Sequence, residues 1–111
     1  TLDDFDFSNN GWLLRADHAA SAVEWELLAQ GQRYVIDRSF VDADNVRWIV
    51  DYKSTLPRAD ETLAAFAARE VALYRPQLET YRALVGQLDA RPIRTALYFP
   101  RIPLWQEIVV R

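Results

Sequence analysis

The chain has 111 residues, 50 % of them hydrophobic and 13 % aromatic, which is typical of a globular domain and excludes a disordered chain. Its net charge of −3 disfavours a free-standing nucleic-acid-binding protein, unless divalent cations or a larger parent protein supply positive charge. No apolar run approaches the ~20 residues of a membrane span, and cysteine is absent, which fits a reducing compartment. We therefore predict a cytoplasmic protein without a membrane partner.

We expect the chain to be a fragment of a longer protein. It begins at Thr1 and contains no methionine. Its length fits one domain over residues 1–111 and is too short for two separate cores. Internal repeats, low-complexity tracts and linkers are not recognisable in the sequence.

Three antiparallel strands are predicted in the first half of the chain. Apolar and polar residues alternate from Val23 in VEWELLA, and a turn at Gln30 and Gly31 leads into RYVIDRSFV. The turn residues 42–45 precede a third strand, VRWIVDYKS. Short turns between successive strands favour antiparallel pairing.

A long helical segment is predicted next, with Asp60 as its N-cap. Its expected inward residues follow a three-and-four spacing: Leu63, Phe66, Ala67, Val71 and Tyr74. Pro76 is predicted to start a second helix at its first position. The inward residues expected there are Leu78, Tyr81, Val85 and Leu88.

Two further strands, IRTALYFP and LWQEIVV, are predicted after the break at Arg91 and Pro92. The order of elements is three strands, a helical segment and two strands. This order predicts an α/β fold in which a central mixed β-sheet is flanked by helices.

The third strand ends in VDYKS, which contains the only lysine among the 13 basic residues of the chain. Side chains alternate along a strand, so Asp51 and Lys53 are expected on one face and Tyr52 on the other. An acid two residues from a lysine is also common at strand ends as a solvated surface pair of little energetic consequence. The motif alone therefore leaves both interpretations open.

A second acid, Asp37, lies in the preceding strand. If Asp37 faces Asp51 across the hairpin, the same register pairs Phe40 with Trp48 and Ile36 with Tyr52, which would give a contiguous apolar face behind the acids. A shift by one residue would move Asp37 to the opposite face. The hydrophobic pattern thus favours the register that gathers the two carboxylates and Lys53.

Two adjacent carboxylates repel each other, and burying both without compensation is costly. A divalent cation resolves this conflict, since Mg²⁺ binds carboxylate oxygens together with water and substrate phosphate. Lys53 would then orient the attacking water or neutralise charge that develops on the phosphate. A compact ammonium suits this role better than the wide guanidinium of arginine.

Three segments in order resemble the PD-(D/E)XK nuclease superfamily. They are VIDR (residues 35–38), WIVDYK (residues 48–53) and YRPQLETY (residues 74–81). The likeness is greatest to the RecB/AddA-type nuclease domain at the C-terminus of UvrD-like helicases. The resemblance covers residues 23 to 107, including ALYFP (residues 96–100) as the closing strand.

The resemblance implies a restriction-endonuclease-like core and a metal-dependent deoxyribonuclease that uses Mg²⁺ or Mn²⁺. Asp37, Asp51 and the backbone carbonyl of Tyr52 would bind the metal, and Lys53 would complete the catalytic set. Gln77 and Tyr81, four residues apart on one helical face, would support the site or contact the substrate backbone. The implied partners are DNA, helicase domains of the parent chain and a second subunit, in DNA end processing and recombinational repair.

The sequence also departs from this family. Many members carry a further histidine or glutamate ligand on an upstream helix, whereas the only histidine here is His18, which we expect on the surface. Glu24 and Glu26 in the first strand are not expected to bind metal. The P-loop pattern G-x-x-x-x-G-K-[ST] is absent, so this piece is not the ATP-driven motor.

Two alternatives come from other functional classes. The first is a catalytically inactive module that keeps the nuclease fold to bind or guide DNA. The second is a protein-interaction domain in which the acids form only a solvated patch.

Overall fold

A computed structural model describes residues 19–109, with side chains from Val23 onward. In chain order the elements are β1 (Ala19–Ala29), β2 (Gln32–Val41), β3 (Arg47–Tyr52), α1 (Leu63–Gly86), β4 (Ile93–Phe99) and β5 (Leu104–Ile108). The strands form one sheet in the order β1-β2-β3-β4-β5. Only the β3–β4 pair is parallel among these neighbours, so the predicted α/β fold with a mixed sheet is confirmed.

One helix is present in the described residues, where the sequence predicted flanking helices. α1 connects the parallel strands β3 and β4, because parallel neighbours need a crossover that a tight turn cannot provide. No helix within residues 19–109 is long and apolar enough to cross a bilayer.

The two hairpin turns lie where the sequence predicted them. Gln30 and Gly31 both adopt positive φ, 52° and 76°, which suits the two-residue turn of a twisted hairpin. In the second turn, the Asp42 carboxylate accepts backbone hydrogen bonds from Asp44 and Val46 at 2.9 and 3.0 Å. These bonds satisfy backbone N–H groups that have no partner strand where the chain reverses direction.

The helix differs from its prediction at the start and in the middle. Thr62 is the N-cap instead of Asp60, and its side chain accepts a hydrogen bond from the Ala65 N–H at 3.1 Å. α1 continues through Pro76, so the predicted restart is wrong. The alanine-rich first half favours helix strongly, and long helices tolerate a proline at the cost of one backbone hydrogen bond.

The inward face of α1 is largely the predicted one. Its buried residues are Phe66, Ala67, Glu70, Leu78, Tyr81 and Val85, while Val71 and Tyr74 are half-buried. Leu63 and Leu88 are wrong predictions, since they are 51 % and 67 % exposed at or beyond the ends of the helix. A periodic pattern does not show where packing against the sheet ends.

The sheet carries an apolar cluster on each face. The helix side contains Phe66, Leu78, Tyr81 and Val85 of α1 with Leu27, Ile36, Ile49, Leu97, Phe99 and Ile108. The opposite side contains Phe40, Trp48, Val50, Ala96 and Tyr98, with Tyr52 and Trp105 packed against them.

The register between β2 and β3 is the predicted one where the two strands pair, but the ladder does not include the predicted pairs of Asp37 with Asp51 and Ile36 with Tyr52. Phe40 pairs with Trp48, and the ladder continues to Arg38 opposite Val50. The expected packing of Ile36 with Tyr52 is wrong, because Ile36 belongs to the helix-side cluster and Tyr52 to the opposite one.

The start of β3 is tied to the chain that follows α1. The buried Arg47 donates from Nε to Asp89 at 2.6 Å and from Nη1 to the Ser39 hydroxyl at 2.9 Å. The Arg47 guanidinium also lies 5.3 Å from the ring centre of Trp25. The hydrogen bond from Arg47 to Asp89 is the main cause that lowers the pKa of Asp89 to about 2. Arg47 links β1, β2, β3 and the C-terminal end of α1.

Candidate functional site

The candidate site lies at the carboxyl end of β3. Asp51 is the penultimate residue of β3, and Lys53 follows the strand directly. Asp37 comes from the neighbouring strand β2, and a hydrogen bond from the Tyr52 N–H holds its carboxylate at the same end. Beyond β3, the Lys53 N–H donates to the Tyr98 carbonyl at 2.9 Å and holds the lysine beside β4.

The carboxyl groups of Asp37 and Asp51 influence each other electrostatically. Asp51 is buried, with 5 % of its surface exposed. Burial and the neighbouring Asp37 raise the pKa of Asp51 and the ammonium of Lys53 lowers it, with a net pKa of about 6. Asp37 also accepts a hydrogen bond from the Tyr52 N–H at 2.9 Å, which fixes its side chain against β3.

Lys53 contacts both the acid pair and the helix. Its Nζ lies 2.7 Å from Asp51 Oδ2 and 3.7 Å from the ring centre of Tyr74. A cation over an aromatic face is stabilised by the ring quadrupole. The predicted grouping of Asp51 with Lys53 is therefore present, and the Tyr52 side chain lies on the opposite side against Tyr98.

The helix contributes the predicted glutamine and tyrosine. Gln77 Nε2 donates to the Tyr81 hydroxyl at 3.1 Å, as the spacing of four residues allows. Tyr81 is buried, and burial raises its pKa, with the negative charges of Asp51 and Asp37 adding to the shift. Tyr81 is therefore electrostatically influenced by both acids.

The donor set fits a hard cation. Asp51 Oδ2 is inaccessible to solvent and accepts no well-aligned hydrogen bond from the described residues, although Lys53 lies close to it. Carboxylate oxygens and a backbone carbonyl such as that of Tyr52 are the ligands that Mg²⁺ prefers. The described residues contain no group of three or more acidic, histidine or cysteine side chains, so water and phosphate would fill the remaining positions.

The sequence did not predict the contact of Tyr74 with Lys53 or the burial of Glu70. Tyr74 was predicted only as a core residue, yet its ring supports the Lys53 ammonium. Glu70 was not predicted at all, although it is 1 % exposed on the inner face of α1. The signal was its spacing, four residues from both Phe66 and Tyr74, which places all three on one helical stripe.

The upstream residues considered as further metal ligands do not join Asp37 and Asp51. His18 lies outside the described residues. Glu24 is exposed with a left-handed backbone, φ 53°. Glu26 is also exposed, and its carboxylate pairs with Arg33 at 2.7 Å.

Comparison with known proteins gives no relative from which a function follows. No protein-family model matches the chain, and a search of curated proteins finds no match. The residues at the end of β3 therefore carry the functional argument.

Proposed function

We propose that this chain is a metal-dependent nuclease domain of RecB-like type, with a restriction-endonuclease-like core, which hydrolyses DNA phosphodiester bonds. The observation that carries the proposal is the grouping of Asp37, Asp51 and Lys53 at the carboxyl end of β3. A carboxylate pair in which Asp51 is buried, with a compact cation beside it, suits phosphoryl transfer better than a structural role, because burying Asp51 next to a second acid is costly without a ligand.

Asp37 and Asp51 would hold Mg²⁺ or Mn²⁺, with the carbonyl of Tyr52 as a further ligand. The bound cation would polarise a phosphoryl oxygen and lower the pKa of a water molecule. Lys53 donates hydrogen bonds from a partly buried ammonium, so it orients the water and offsets negative charge on the phosphate. Its place over Tyr74 limits where the ammonium points.

Gln77 and Tyr81 would bind the substrate backbone beside the acids. The Tyr81 hydroxyl accepts a hydrogen bond from Gln77 and keeps its own proton to donate. The raised pKa of this phenol keeps that proton in place at neutral pH, so a phosphate oxygen is a suitable acceptor.

The wider setting is proposed from the resemblance in the sequence. The domain would be the exonuclease module of a cytoplasmic ATP-dependent helicase–nuclease, with helicase domains in the parent chain and a possible second subunit. Its task would be DNA end processing in recombinational repair.

The test is cleavage of end-labelled DNA in Mg²⁺ by the chain and by the full-length parent protein. We expect Asp51→Asn and Lys53→Arg each to lower the rate at least 10²-fold, about the loss seen when one transition-state donor is removed. Asp60→Asn is the matched control, since Asp60 is exposed in the loop before α1. Unchanged Mg²⁺-dependent cleavage by Asp51→Asn would refute the site assignment.

A catalytically inactive DNA-binding module is the second candidate. The observation that favours it is the lack of a third metal-ligating side chain near the pair among residues 23–109. Calorimetric titration with Mn²⁺ separates the two candidates. If the chain binds Mn²⁺ and Asp51→Asn abolishes this binding, the nuclease is supported. If the chain binds DNA but has no affinity for Mn²⁺, the inactive module is supported.

A further inference from the structure

Glu70 is a buried carboxylate that the proposed mechanism does not use. Its Oε1 is inaccessible to solvent and accepts no hydrogen bond from the described residues. Its Oε2 accepts a 3.3 Å hydrogen bond from Arg69 Nη1, while Nε and Nη2 of the same guanidinium donate 2.9 Å hydrogen bonds to Glu61. A buried carboxylate oxygen without a donor is costly, so its retention indicates a partner that reaches it in another state.

The position of Glu70 indicates which partner that is. Phe66, one turn before it, packs on Phe99 with ring centres 5.0 Å apart. Tyr74, one turn after it, lies beneath Lys53 Nζ. Residues four apart on a helix have Cβ atoms about 5–6 Å apart, so Glu70 is within reach of a lysine that pivots on the Tyr74 ring.

Lys53 has a reason to move. In the structure its ammonium is paired with Asp51 Oδ2 at 2.7 Å, the carboxylate that the proposed function assigns to a divalent cation. A cation bound at Asp51 would repel the Lys53 ammonium and would neutralise the carboxylate charge with which the ammonium is paired. Lys53 then needs a second anion close to its present place.

We propose that Glu70 is the alternate counter-ion of Lys53. The ammonium pairs with Asp51 when the acid pair is free, and with Glu70 Oε1 when Asp51 is engaged. Glu70 is thus a positioning residue that keeps Lys53 charged and beside the reacting phosphate. This inference rests on the proposed function for its purpose, but the exchange of partners can be tested without metal.

The first test measures Mn²⁺ affinity by calorimetry. Glu70→Gln leaves the Lys53–Asp51 pair intact without metal but removes the new pair from the metal-bound state, so we expect affinity to fall about tenfold. Glu79→Gln is the matched control, because Glu79 is exposed on the same helix, and it should change affinity less than about twofold. Equal Mn²⁺ affinity in Glu70→Gln and wild type would overturn the proposal.

The second test uses the fact that Lys53 is the only lysine. Selective ¹³C labelling of lysine gives one set of side-chain NMR signals, and Asp51→Asn removes the charge of the present partner without metal. In Asp51→Asn we expect new cross-peaks from the Lys53 ε-protons to the Glu70 γ-protons, which are lost in Asp51→Asn/Glu70→Gln. Lys53 cross-peaks to Tyr74 without any to Glu70 would overturn the proposal, whatever the metal titration shows.

The two tests fail separately. Absence of Mn²⁺ binding in wild type, together with the Glu70 cross-peaks in Asp51→Asn, would refute the proposed function and leave the partner exchange standing. Asp51-dependent Mn²⁺ binding without an effect of Glu70→Gln would refute only the role of Glu70. Circular dichroism of each variant confirms that the substitution leaves the fold intact.

Discussion

Asp51 shows how a single side chain combines opposing electrostatic effects. Burial and the neighbouring Asp37 favour its neutral form, Lys53 favours its charged form, and the result is a pKa of about 6. The lysine therefore compensates only part of the cost of placing two acids side by side. An Asp51 pKa above its unfolded value has a direct consequence for stability.

We expect the contribution of Asp51 to the free energy of unfolding to fall as pH rises from about 4 to 6. In this window the folded chain holds a proton on Asp51 that the unfolded chain has lost, so the folded state binds more protons and loses stability with rising pH. Asp51→Asn removes this term and should exceed wild type by about 2 kcal/mol at pH 8, with little difference at pH 4. Urea unfolding at both pH values measures this difference in free energy of unfolding, and Asp60→Asn is the control. If Asp51→Asn and wild type showed the same pH dependence, the prediction would be wrong.

The sequence predicts part of this site at the residue scale. The grouping of Asp51 with Lys53 follows from strand alternation. Asp37 was predicted on the same side from the hydrophobic register, but the ladder ends at Arg38 and the hydrogen bond from the Tyr52 N–H holds Asp37 in place. The side of the sheet on which Ile36 lies was predicted wrongly. Ile36 packs in the helix-side cluster although strand alternation would place it opposite Asp37. The partners of Glu70 depend on how α1 lies over the sheet, which no local pattern encodes.

At the scale of elements, the contact between Arg47 and Asp89 fixes α1 against β3. Both side chains are about one-tenth exposed, and the first residue of β3 thereby holds the chain just after α1. Since Lys53 at the other end of β3 contacts Tyr74 in the middle of α1, the contact sets the spacing of the site indirectly. The helix cannot slide along β3 without breaking it.

We expect Asp89→Asn to lower the free energy of unfolding by about 3 kcal/mol, because it removes the negative charge that faces the buried Arg47 guanidinium at 2.6 Å. Asp44→Asn, in an exposed turn, should change stability by less than about 0.5 kcal/mol. Denaturant titrations of both variants give the comparison. A loss below about 1 kcal/mol in Asp89→Asn would mean that the other contacts of Arg47 suffice to hold its guanidinium.

The elements themselves were largely predictable, and their ends were not. Alternation and turn residues located all five strands, and three-and-four spacing located α1. Asp60 and Thr62 are both good N-cap residues, and only the observed bond to Ala65 decides between them. Pro76 favoured a break locally, but the apolar stripe on both sides packs on one sheet and keeps the helix continuous.

At the scale of the whole molecule, the chain is acidic and much of its basic charge is internally paired. Arginines of the described part form ion pairs within the chain: Arg33, Arg47, Arg69, Arg75, Arg91 and Arg94. With a net charge of −3, the chain offers little attraction for a phosphate backbone. The proposed function therefore needs cations to bridge protein and DNA.

We expect DNA affinity to depend on a divalent cation. Fluorescence anisotropy with a labelled oligonucleotide should show an apparent Kd at least tenfold lower in Ca²⁺ than in EDTA, at equal ionic strength. Asp51→Asn should lose this gain, since it removes a carboxylate that would hold the bridging cation. Equal affinity in EDTA and Ca²⁺ would show that another surface carries the binding.

Because the chain has a single lysine, proteolysis at that residue can measure local opening of the structure. A lysine-specific endoprotease has one peptide bond to attack, Lys53–Ser54, in the segment between β3 and α1. Because the Lys53 side chain is 17 % exposed and engaged with Asp51 and Tyr74, cleavage requires this segment to open first. The digestion rate of the native chain should therefore measure how often the site opens, and a ligand that orders the site should slow it.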